Sequence, residues 1–473
     1  MKQKIPLIIG LFLFICFFIF LLGCTQNHNP VYPSAVVSNH FGVDGSDITA
    51  MSEIAKLGDG VTGVNGGIWG RLEPKAPLNG VPVYDSASLA KLDSVMDSVA
   101  KSARVAQMNF LFSNDWAMEY SSADTTDPVF GKKVKRFAGI KPEYLDDYKN
   151  TIKFLLKRYP QIKYLQIGSE EENAWASASG YSEALCTAYA SVKETNPDVL
   201  VLAAGFNLGE FFDYSSEEQA EALATPAGSA KMAFITGVIR EGKGCFDVLT
   251  IHPSGRETSI PKMLEWYNAE MLKNGYQNPI WSDDTSSGPG VGGTKPLAGE
   301  EKMFELMNED KLRTNSEEYA RLMRTQSSLL VKKSVAMFAS GAERVIISCD
   351  VDFLTYFMNP WHYLGLIDGV TKTKKPAYYT YGILISKIDD FISAEKIGED
   401  IYKFELSNGK NVFVAWSSAD KNIDLSSEIS GNAKLTFIIT ELDEKYKPVY
   451  VEGKIVSASN IPINQEPVFI EAV

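Results

Sequence analysis

Residues 162–175 read IKYLQIGSEEENAW, a short apolar run that passes directly into an acidic segment. The run Ile162–Ile167 has the length and composition of a buried strand, and Gly168 separates it from three consecutive acidic residues. Just upstream, the apolar residues of 144–159 recur at the three-to-four spacing of one helix face. The segment therefore predicts a helix-to-strand step of an α/β chain, with polar side chains at the end of the strand.

The same step recurs along most of the chain. Eight apolar runs alternate with helical patterns, and the predicted strands are Ala35–Val43, Val61–Ile68, Arg104–Phe112, Ile162–Ile167, Val199–Gly205, Phe246–His252, Pro279–Asp283 and Arg344–Ser348. Eight strands that are each followed by a helix imply parallel pairing with right-handed crossovers, and eight such units close into a (β/α)8 barrel. A doubly wound open sheet is the alternative, but no Gly-x-Gly-x-x-Gly motif follows an early strand.

The C-terminal part of the chain has a different pattern. From about Ile397 the helical spacing gives way to alternating segments, namely Ile401–Leu406, Asn411–Ala415, Lys434–Ile439, Val449–Val451 and Val468–Ile470. A chain of 473 residues is also too long for one ordinary core. The predicted fold class is therefore α/β, a TIM barrel over residues 35–392 with a small C-terminal all-β sandwich domain over 393–473.

The N-terminus reads as an export signal. Lys2 and Lys4 precede an apolar run, Ile5–Leu22, and small residues follow it, which is the organisation of a secretory signal peptide. The ending LLGC at 21–24 resembles a bacterial lipobox, which implies a signal peptide over 1–23, lipid on Cys24 and a tether over 24–34. An uncleaved transmembrane anchor is the alternative, because the run is long enough to span a bilayer. In either case the folded part lies outside the cytoplasm, attached to the cell envelope.

Charge and metal-binding residue types exclude several functions. The net charge of −13 would repel phosphate backbones, so nucleic acid is not an expected partner. If Cys24 carries lipid, the remaining Cys186, Cys245 and Cys349 are odd in number and widely spaced, which does not predict a disulfide framework. The four histidines include no pair with ligand spacing, so neither a metal nor another cofactor is expected. The sequence leaves the oligomeric state open.

Polar residues just after the predicted strands are the candidate site, because a barrel builds its site at the carboxyl ends of its strands. The candidates are Trp69, Asn114, Trp116, Ser169, Glu170, Trp175, Asn207, His252, Trp281, Asp283 and Asp284. Two carboxylates that face each other across a barrel mouth, with aromatic walls, suit the cleavage of a glycosidic bond. A solvated acidic loop is the alternative for the acidic segment, but its position at a strand end argues against it.

These motifs together resemble the glycoside hydrolases of clan A, barrel enzymes whose acid/base ends strand four and whose nucleophile ends strand seven. The clan's Ile-Gly-Asn-Glu is similar to residues 167–170, its Trp-x-x-x-Glu-Pro to 69–74, and its Phe-Asp-Val-x-x-x-His-Pro to 246–253. The resemblance covers most of the chain. It implies that Glu170 is the general acid/base, that Asp284 is the nucleophile or base, and that His252 lies at the rim of the site.

Two departures from the clan's pattern leave the chemistry open. The clan's Asn before the acid/base is Ser169 here, and its nucleophile Glu is the shorter Asp284. Retaining enzymes need carboxyl groups about 5 to 5.5 Å apart and inverting enzymes about 6.5 to 9.5 Å. Three outcomes follow: a retaining pair restored by the backbone, inversion with an extra water, or lost chemistry with a surviving sugar groove. Because side chains alternate on a strand, only one of Asp283 and Asp284 is expected to face the site.

The sequence thus supports two functional hypotheses. The first is an extracytoplasmic glycoside hydrolase that acts on an oligo- or polysaccharide. The second is a catalytically degenerate barrel that serves as a surface carbohydrate-binding lipoprotein. In both, the candidate residues other than Glu170 and Asp284 are expected to contact the carbohydrate, whereas Glu73 beside Pro74 is expected to anchor a loop.

Overall fold

The computed structural model describes residues 40–45, 47–122, 125–126, 133–213, 216–286, 288–289, 296–355 and 358–473. The expected signal peptide, the lipidation site Cys24 and the tether lie outside these residues. The described residues from 40 onward form one compact unit, so the division of the chain at residue 393 stays a prediction.

Eight parallel strands form the main sheet: β1 (Phe41–Gly45), β2 (Val61–Ile68), β3 (Val105–Leu111), β4 (Ile162–Ile167), β5 (Leu200–Leu202), β6 (Leu249–Ile251), β7 (Ile280–Ser286) and β8 (Arg344–Ser348). The sheet runs in the order β6-β7-β8-β1-β2-β3-β4-β5. Parallel bridges between Leu202 and Val248 and between Phe206 and Ile251 join its two edges. The sheet is therefore closed into the predicted (β/α)8 barrel.

Alternation along the strands separates an outer apolar layer from the side chains that fill the barrel interior. On β1, Phe41 points outward and packs edge-on against Phe338 of a surrounding helix. Inside the barrel, the Arg344 guanidinium lies 4.6 Å from the Tyr164 ring centroid and 4.2 Å from that of Trp281. This layer fills the floor of the barrel, and the polar strand ends lie above it.

The strands are connected by helices and short helical turns. The α-helices are Ile48–Ile54, Trp69–Leu72, Ser86–Lys101, Leu145–Arg158, Glu171–Ala174, Ala178–Thr195, Gly209–Phe212, Ser216–Ala224, Pro226–Glu241, Ile260–Lys273, Glu301–Asn308, Ser316–Ala339 and Pro376–Ile388. The 3₁₀ turns are Ala55–Leu57, Pro142–Tyr144, Glu257–Ser259, Leu312–Thr314 and Asn359–Tyr363. Among the described residues no single helix is long and apolar enough to cross a membrane; one pair, 217–224 with 226–241, meets that test only jointly and is bent by 87°.

A β-sandwich follows the last helix. Its strands are β9 (Phe391–Gly398), β10 (Ile401–Leu406), β11 (Asn411–Ala415), β12 (Lys421–Ile423), β13 (Asn432–Phe437), β14 (Lys454–Ser457), β15 (Ile461–Ile463) and β16 (Val468–Ala472). Six of them form an antiparallel sheet in the order β9-β10-β11-β16-β13-β14, and β12 pairs with β15. Phe413, Leu435 and Ile461 are among the side chains of its buried core.

The sequence pattern missed the solvent-exposed strands β9, β12 and β14 of the sandwich and also the short, mostly buried β15. Most residues of β9 and β14 are exposed or half-buried, so their sequences lack the apolar alternation that marks a strand with one buried face. The expected strand Val449–Val451 is wrong, because the structure has no strand there and all three side chains are exposed by 42 to 55%. Apolar residues alone therefore did not identify a strand at the surface.

The loop after β3 contains two short pairs of antiparallel strands. Met118–Tyr120 pairs with Phe137–Ile140, and Thr125–Thr126 pairs with Lys133–Val134. The first of these pairs also touches the loop after β4 through a bridge from Phe137 to Trp175. The β3 loop is therefore connected to the strand end that carries the acidic segment.

The cysteine spacing did not predict a disulfide framework, but the structure contains one disulfide bond. Cys186, in helix Ala178–Thr195, is bonded to Cys245, which precedes β6, and their Cα atoms are 4.6 Å apart. The barrel brings these two segments together although 59 residues separate them in sequence, so their spacing gave no indication of the pairing. Cys349 is buried and free.

We expect loss of this disulfide to destabilise the barrel. Replacing both Cys186 and Cys245 by Ser should lower the free energy of unfolding by about 2 to 4 kcal/mol, because the bond restricts the unfolded chain. Urea denaturation of exported protein without reductant measures the change, and Cys349→Ser is the control for loss of one thiol. Three free thiols at 186, 245 and 349 in the denatured exported protein, instead of one, would contradict the pairing.

Candidate active site

A histidine lies between two carboxylates at the mouth of the barrel. Nδ1 of His252, just after β6, is 2.8 Å from Oε1 of Glu170, just after β4. Nε2 of His252 is 3.4 Å from Oδ2 of Asp283 in β7. The imidazole of His252 therefore bridges the strand ends that carry Glu170 and Asp283.

Glycines with particular backbone roles make this arrangement possible. Gly168 has φ +86°, a left-handed conformation that ends β4 abruptly, and Glu170 follows at φ +52°. Glu170 N donates to the carbonyl of Gly205 at 3.1 Å. A Cβ on Gly205 would lie 2.1 Å from Nε2 of His252 and 2.7 Å from Oδ1 of Asp283. A larger residue at position 205 would therefore displace the histidine from between the acids.

A bulge in β7 turns two consecutive aspartates toward the mouth. The pairing of β7 with β8 shifts register between Ser282 and Thr285. The hydroxyls of these two residues are hydrogen-bonded to each other, which places both on the same side of the strand. Asp283 and Asp284 between them therefore both lie on the site side, and the expectation that only one would face the site is wrong. A bulge adds one residue to a strand and so breaks the simple alternation.

The two aspartates differ in accessibility. The Asp283 side chain is 1% exposed and lies against His252. Asp284 is partly exposed, and the Ser348 hydroxyl at the end of β8 donates a hydrogen bond to its Oδ1. The Glu170 side chain is 37% exposed. Glu170 and Asp284 are therefore the two acids of this group that a ligand in the mouth can reach.

The acids hold a proton on His252. Burial would lower the pKa of His252, but the charge and hydrogen bond of Asp283, the hydrogen bond of Glu170 and the charge of Asp284 raise it well above its usual value. Burial would likewise raise the pKa of Glu170, but the contact with His252 and the charge of Lys231 outweigh it, so that pKa lies below its usual value. In the free protein the group is thus an imidazolium between two carboxylates.

The pKa of Asp284 shifts in the other direction. Burial raises it most, and the negative charges of Glu170 and Asp283 add to the effect. The charge of His252 and the hydrogen bond from Ser348 oppose the rise. The carboxylate of Asp284 is therefore a stronger base than one in water.

The other two glutamates of the acidic segment point away from the mouth. Glu171 accepts a hydrogen bond from Ser169 N at 2.9 Å, and Glu172 accepts one from Asn207 N at 3.1 Å. Burial raises the pKa of Glu171 to about 8 and that of Glu172 to about 7, the latter against the opposing charge of Lys231. Both are buried and hold the loop, and only Glu170 of the three glutamates is directed to the site.

Asn207 contributes to the site through Glu170. Its Nδ2 donates to Oε1 of Glu170 at 3.1 Å, and its Oδ1 accepts from the Ser254 hydroxyl. Ser169, which stands where the resembled pattern has Asn, is partly exposed and uses its backbone N–H on Glu171. The amide that lies beside the acid therefore comes from the loop after β5.

The expected carbohydrate contacts of three tryptophans are wrong. Trp69 and Trp175 have no exposed surface and Trp281 is 4% exposed. Trp69 and Trp175 pack among the aromatic rings beneath the loops, and Trp281 belongs to the barrel floor beside Tyr164. A sugar cannot stack on a ring that has no accessible face.

Asn114 and Trp116 lie around Glu73 and not at the center of the mouth. The Trp69 indole and the Thr151 hydroxyl donate to Oε2 of Glu73 at 2.9 and 2.8 Å, as expected of a loop anchor. Trp116, half-buried, donates from Nε1 to the Glu73 carbonyl at 2.9 Å. Asn114 is 2% exposed and lies beside the same carbonyl, so its expected contact with carbohydrate is also wrong.

Sequence reasoning missed a buried lysine behind the site. Lys333, in helix Ser316–Ala339, is 1% exposed and donates to the carbonyls of Ser286 at 2.8 Å and Pro253 at 3.2 Å. Burial lowers the pKa of Lys333 to about 8, against the charges of Asp213, Glu257 and Asp284. The ammonium group of Lys333 thus connects the ends of β6 and β7. A lysine on the apolar face of a helix was the signal in the sequence.

Asp44, Asn65 and Asn109, at the ends of the first three strands, were also missed. Asp44 directly follows the predicted first strand, so the strand-end rule could have identified it. Asn65 and Asn109 fall inside predicted strands. Only the closed barrel shows that they are directed to the mouth.

We expect the Glu170–His252 contact to stabilise the fold in a pH-dependent way. The lowered pKa of Glu170 contributes stability above its usual value of 4.5 that is lost as the pH falls through the lowered value. The raised pKa of His252 contributes stability below its usual value of 6.5 that is lost as the pH rises through the raised value. His252→Gln should therefore lower the free energy of unfolding most between pH 4.5 and pH 6.5, the two usual pKa values. The difference from wild type should become smaller in alkali.

Urea denaturation of wild type, His252→Gln, Glu170→Gln and the double variant, from acid below pH 4.5 into the alkaline range, measures the coupling between the two side chains. A coupling that does not change with pH would contradict the charge assignment.

Comparisons with known proteins agree on the fold. No protein-family model and no curated protein sequence matches the chain. Among solved structures, a family 39 glycoside hydrolase from the gut symbiont Bacteroides cellulosilyticus WH2 superposes with a TM-score of 0.61 at 13% identity over 93% of this chain and 83% of that one.

Two further structures cover 93% of this chain and 98% of their own length. They are a glucosidase from Croceicoccus marinus, with a TM-score of 0.54 at 9% identity, and a GH30 endoxylanase from Clostridium papyrosolvens C71, with a TM-score of 0.51 at 11% identity. The chain therefore shares the (β/α)8 fold of these glycoside hydrolases, which is the fold that the sequence motifs indicated.

Proposed function

We propose that the protein is a glycoside hydrolase that cleaves an oligo- or polysaccharide outside the cytoplasm, with Glu170 as general acid/base and Asp284 as nucleophile or base. The observation that supports this most is the pair of ligand-accessible carboxyl groups at the ends of β4 and β7, both next to the charge of His252. The shared fold of known glycoside hydrolases agrees with the proposal but does not identify a reaction.

A proton for the leaving group is available from His252. In the free protein Glu170 is ionised, which is the wrong state for a general acid. A sugar bound over the partly exposed Glu170 carboxyl would displace the water that hydrates it. Loss of hydration favours the neutral acid. The proton would then move from Nδ1 of His252 along the 2.8 Å contact to Glu170, and from Glu170 to the glycosidic oxygen as the bond breaks.

Asp284 is suited to the opposite role. Its partly exposed carboxylate can attack the anomeric carbon directly or take a proton from an attacking water. The hydrogen bond from Ser348 fixes the orientation of the carboxylate, and the nearby charge of His252 opposes the rise of its pKa that burial causes. Asp283, with its side chain against His252, would hold the imidazole in place and not touch the sugar.

A second function follows from the same pKa shifts. If bound sugar leaves the proton on His252, Glu170 remains a carboxylate and cannot act as an acid. The mouth would then bind carbohydrate without cleaving it, which is the alternative of a surface carbohydrate-binding protein.

We expect Glu170→Gln to reduce turnover by about a hundred- to ten-thousand-fold, because the amide cannot donate the proton. Asp284→Asn should reduce it at least as much. Release of reducing ends from neutral polysaccharides measures turnover, because a sugar leaving group needs the proton that Glu170 supplies.

Glu171→Gln is the matched control for these variants. Glu171 is the next residue, but its raised pKa of about 8 makes it largely neutral at pH 6 to 7, so its amide should change turnover little. Hydrolysis by Glu170→Gln at the wild-type rate would reject the assignment. Glycan binding by a wild type that releases no sugar would instead favour the non-catalytic alternative.

We also propose that the mature protein is a lipoprotein, because the LLGC sequence at 21–24 follows a basic and then an apolar segment. In a bacterial host, wild type should incorporate labelled palmitate and partition with membranes, and Cys24→Ser should lose the label. Cys349→Ser is the control and should keep it. An unlabelled wild type that still partitions with membranes would contradict lipidation and favour an uncleaved anchor.

A further inference from the structure

The backbone pairing of β6 with β7 ends just before the charged residues of the site. The two strands are in register as far as Ile251 and Ser282. His252 and Asp283 are the next residues, and β7 then bulges and runs on to Ser286 in pairing with β8. Among the described residues, the backbone ladder between β6 and β7 therefore does not reach the part of β7 that carries the two aspartates.

Lys333 joins the two strands beyond the end of that ladder. Its Nζ donates to the carbonyl of Ser286, the last residue of β7, at 2.8 Å, and to the carbonyl of Pro253, which directly follows His252, at 3.2 Å. One helical turn away, the side chains on the same face of helix Ser316–Ala339 are buried and apolar, namely Leu329, Leu330, Ala336 and Met337. An ammonium group thus stands in an otherwise apolar layer and holds both strand ends.

The charge of Lys333 is costly in this position. Burial lowers its pKa to about 8, and the charge of Arg256 acts in the same direction, whereas the charges of Asp213, Glu257 and Asp284 oppose the fall. Lys333 is therefore largely charged at pH 7. An apolar side chain of similar size would avoid the desolvation of this charge, so packing alone does not account for a lysine here.

We propose that Lys333 is a positioning residue of the hydrolase, which fixes the β7 segment that carries Asp284 relative to His252 and, through His252, to Glu170. Lys333 does not touch the carbohydrate, because its side chain is 1% exposed and lies behind the strands. Without its two hydrogen bonds, the end of β7 would be free to move away from β6. Misplacement of a reacting group by about 1 Å can lower a rate about a hundredfold. The inference rests on the proposed function and adds to it a residue outside the mouth.

Lys333→Met tests this role, because methionine fills similar space without a hydrogen-bond donor or a charge. We expect kcat for the release of reducing ends from neutral polysaccharides to fall by about 10- to 100-fold at pH 7. KM should stay within about threefold of the wild-type value, because the carbohydrate does not contact Lys333. A lysine with a structural role only would lower the free energy of unfolding and leave kcat of the folded protein unchanged.

Lys332→Met is the matched control. Lys332 is the next residue on the same helix, but its Nζ lies 5.6 Å from the ring centroid of Trp416 in the sandwich and not at the strand ends. This variant also removes one partly buried ammonium group, and it should keep both kcat and KM.

Lys333→Gln is the second variant, in case Lys333→Met does not fold. Glutamine keeps N–H donors behind the strands, but its nitrogen ends one bond short of Nζ. The strand ends must then shift or lose their hydrogen bonds, and kcat should fall by at least about fivefold. Wild-type kcat in this variant would overturn the inference.

Crystal structures of wild type and of a folded Lys333 variant give a readout that does not require turnover. The carboxyl group of Asp284 should move by about 1 Å or more relative to Glu170. An unmoved Asp284, or wild-type kcat in Lys333→Met, would overturn the inference and leave the hydrolase in place. A wild type that cleaves no polysaccharide would instead reject the hydrolase. A displaced Asp284 would in that case still support its positioning by Lys333.

Discussion

The contact of His252 with two carboxylates is the interaction on which the site depends. A carboxylate that is removed from water needs a counter-charge, and His252 provides one to Glu170 and to Asp283 together. The histidine fits between them because residue 205 is a glycine. Residues from the ends of β4, β5, β6 and β7 therefore all lie against the imidazole ring of His252. The positive charge of His252 is the reason that three acidic side chains can lie together in the mouth.

The mouth is divided between two kinds of polar chemistry. On the side of β4 to β8, three acidic side chains, Glu170, Asp283 and Asp284, lie around the single charge of His252, with Lys333 behind the strands. On the side of β1 to β3, the groups are amides and a largely neutral carboxylic acid, Asp44.

Local patterns predicted the barrel, because a strand and an amphipathic helix each leave a periodic signature. Val61–Ile68 and Arg344–Ser348 were predicted with the bounds that the structure has. Side-chain direction was not predictable in the same way. Trp175 follows a strand end as Glu170 does, yet the short helix Glu171–Ala174 carries it into the helix layer. The bulge in β7 and the bond from Cys186 to Cys245 depend on neighbouring strands and segments, which no single stretch of sequence records.

The most direct test of the account is a crystal structure of the Glu170→Gln protein with a bound neutral oligosaccharide. The account predicts a glycosidic oxygen within hydrogen-bond reach, about 3 Å, of the side chain at 170, and a carboxyl oxygen of Asp284 on the opposite side of the same bond. A sugar bound elsewhere on the protein, or one whose glycosidic bonds lie away from both side chains, would contradict it.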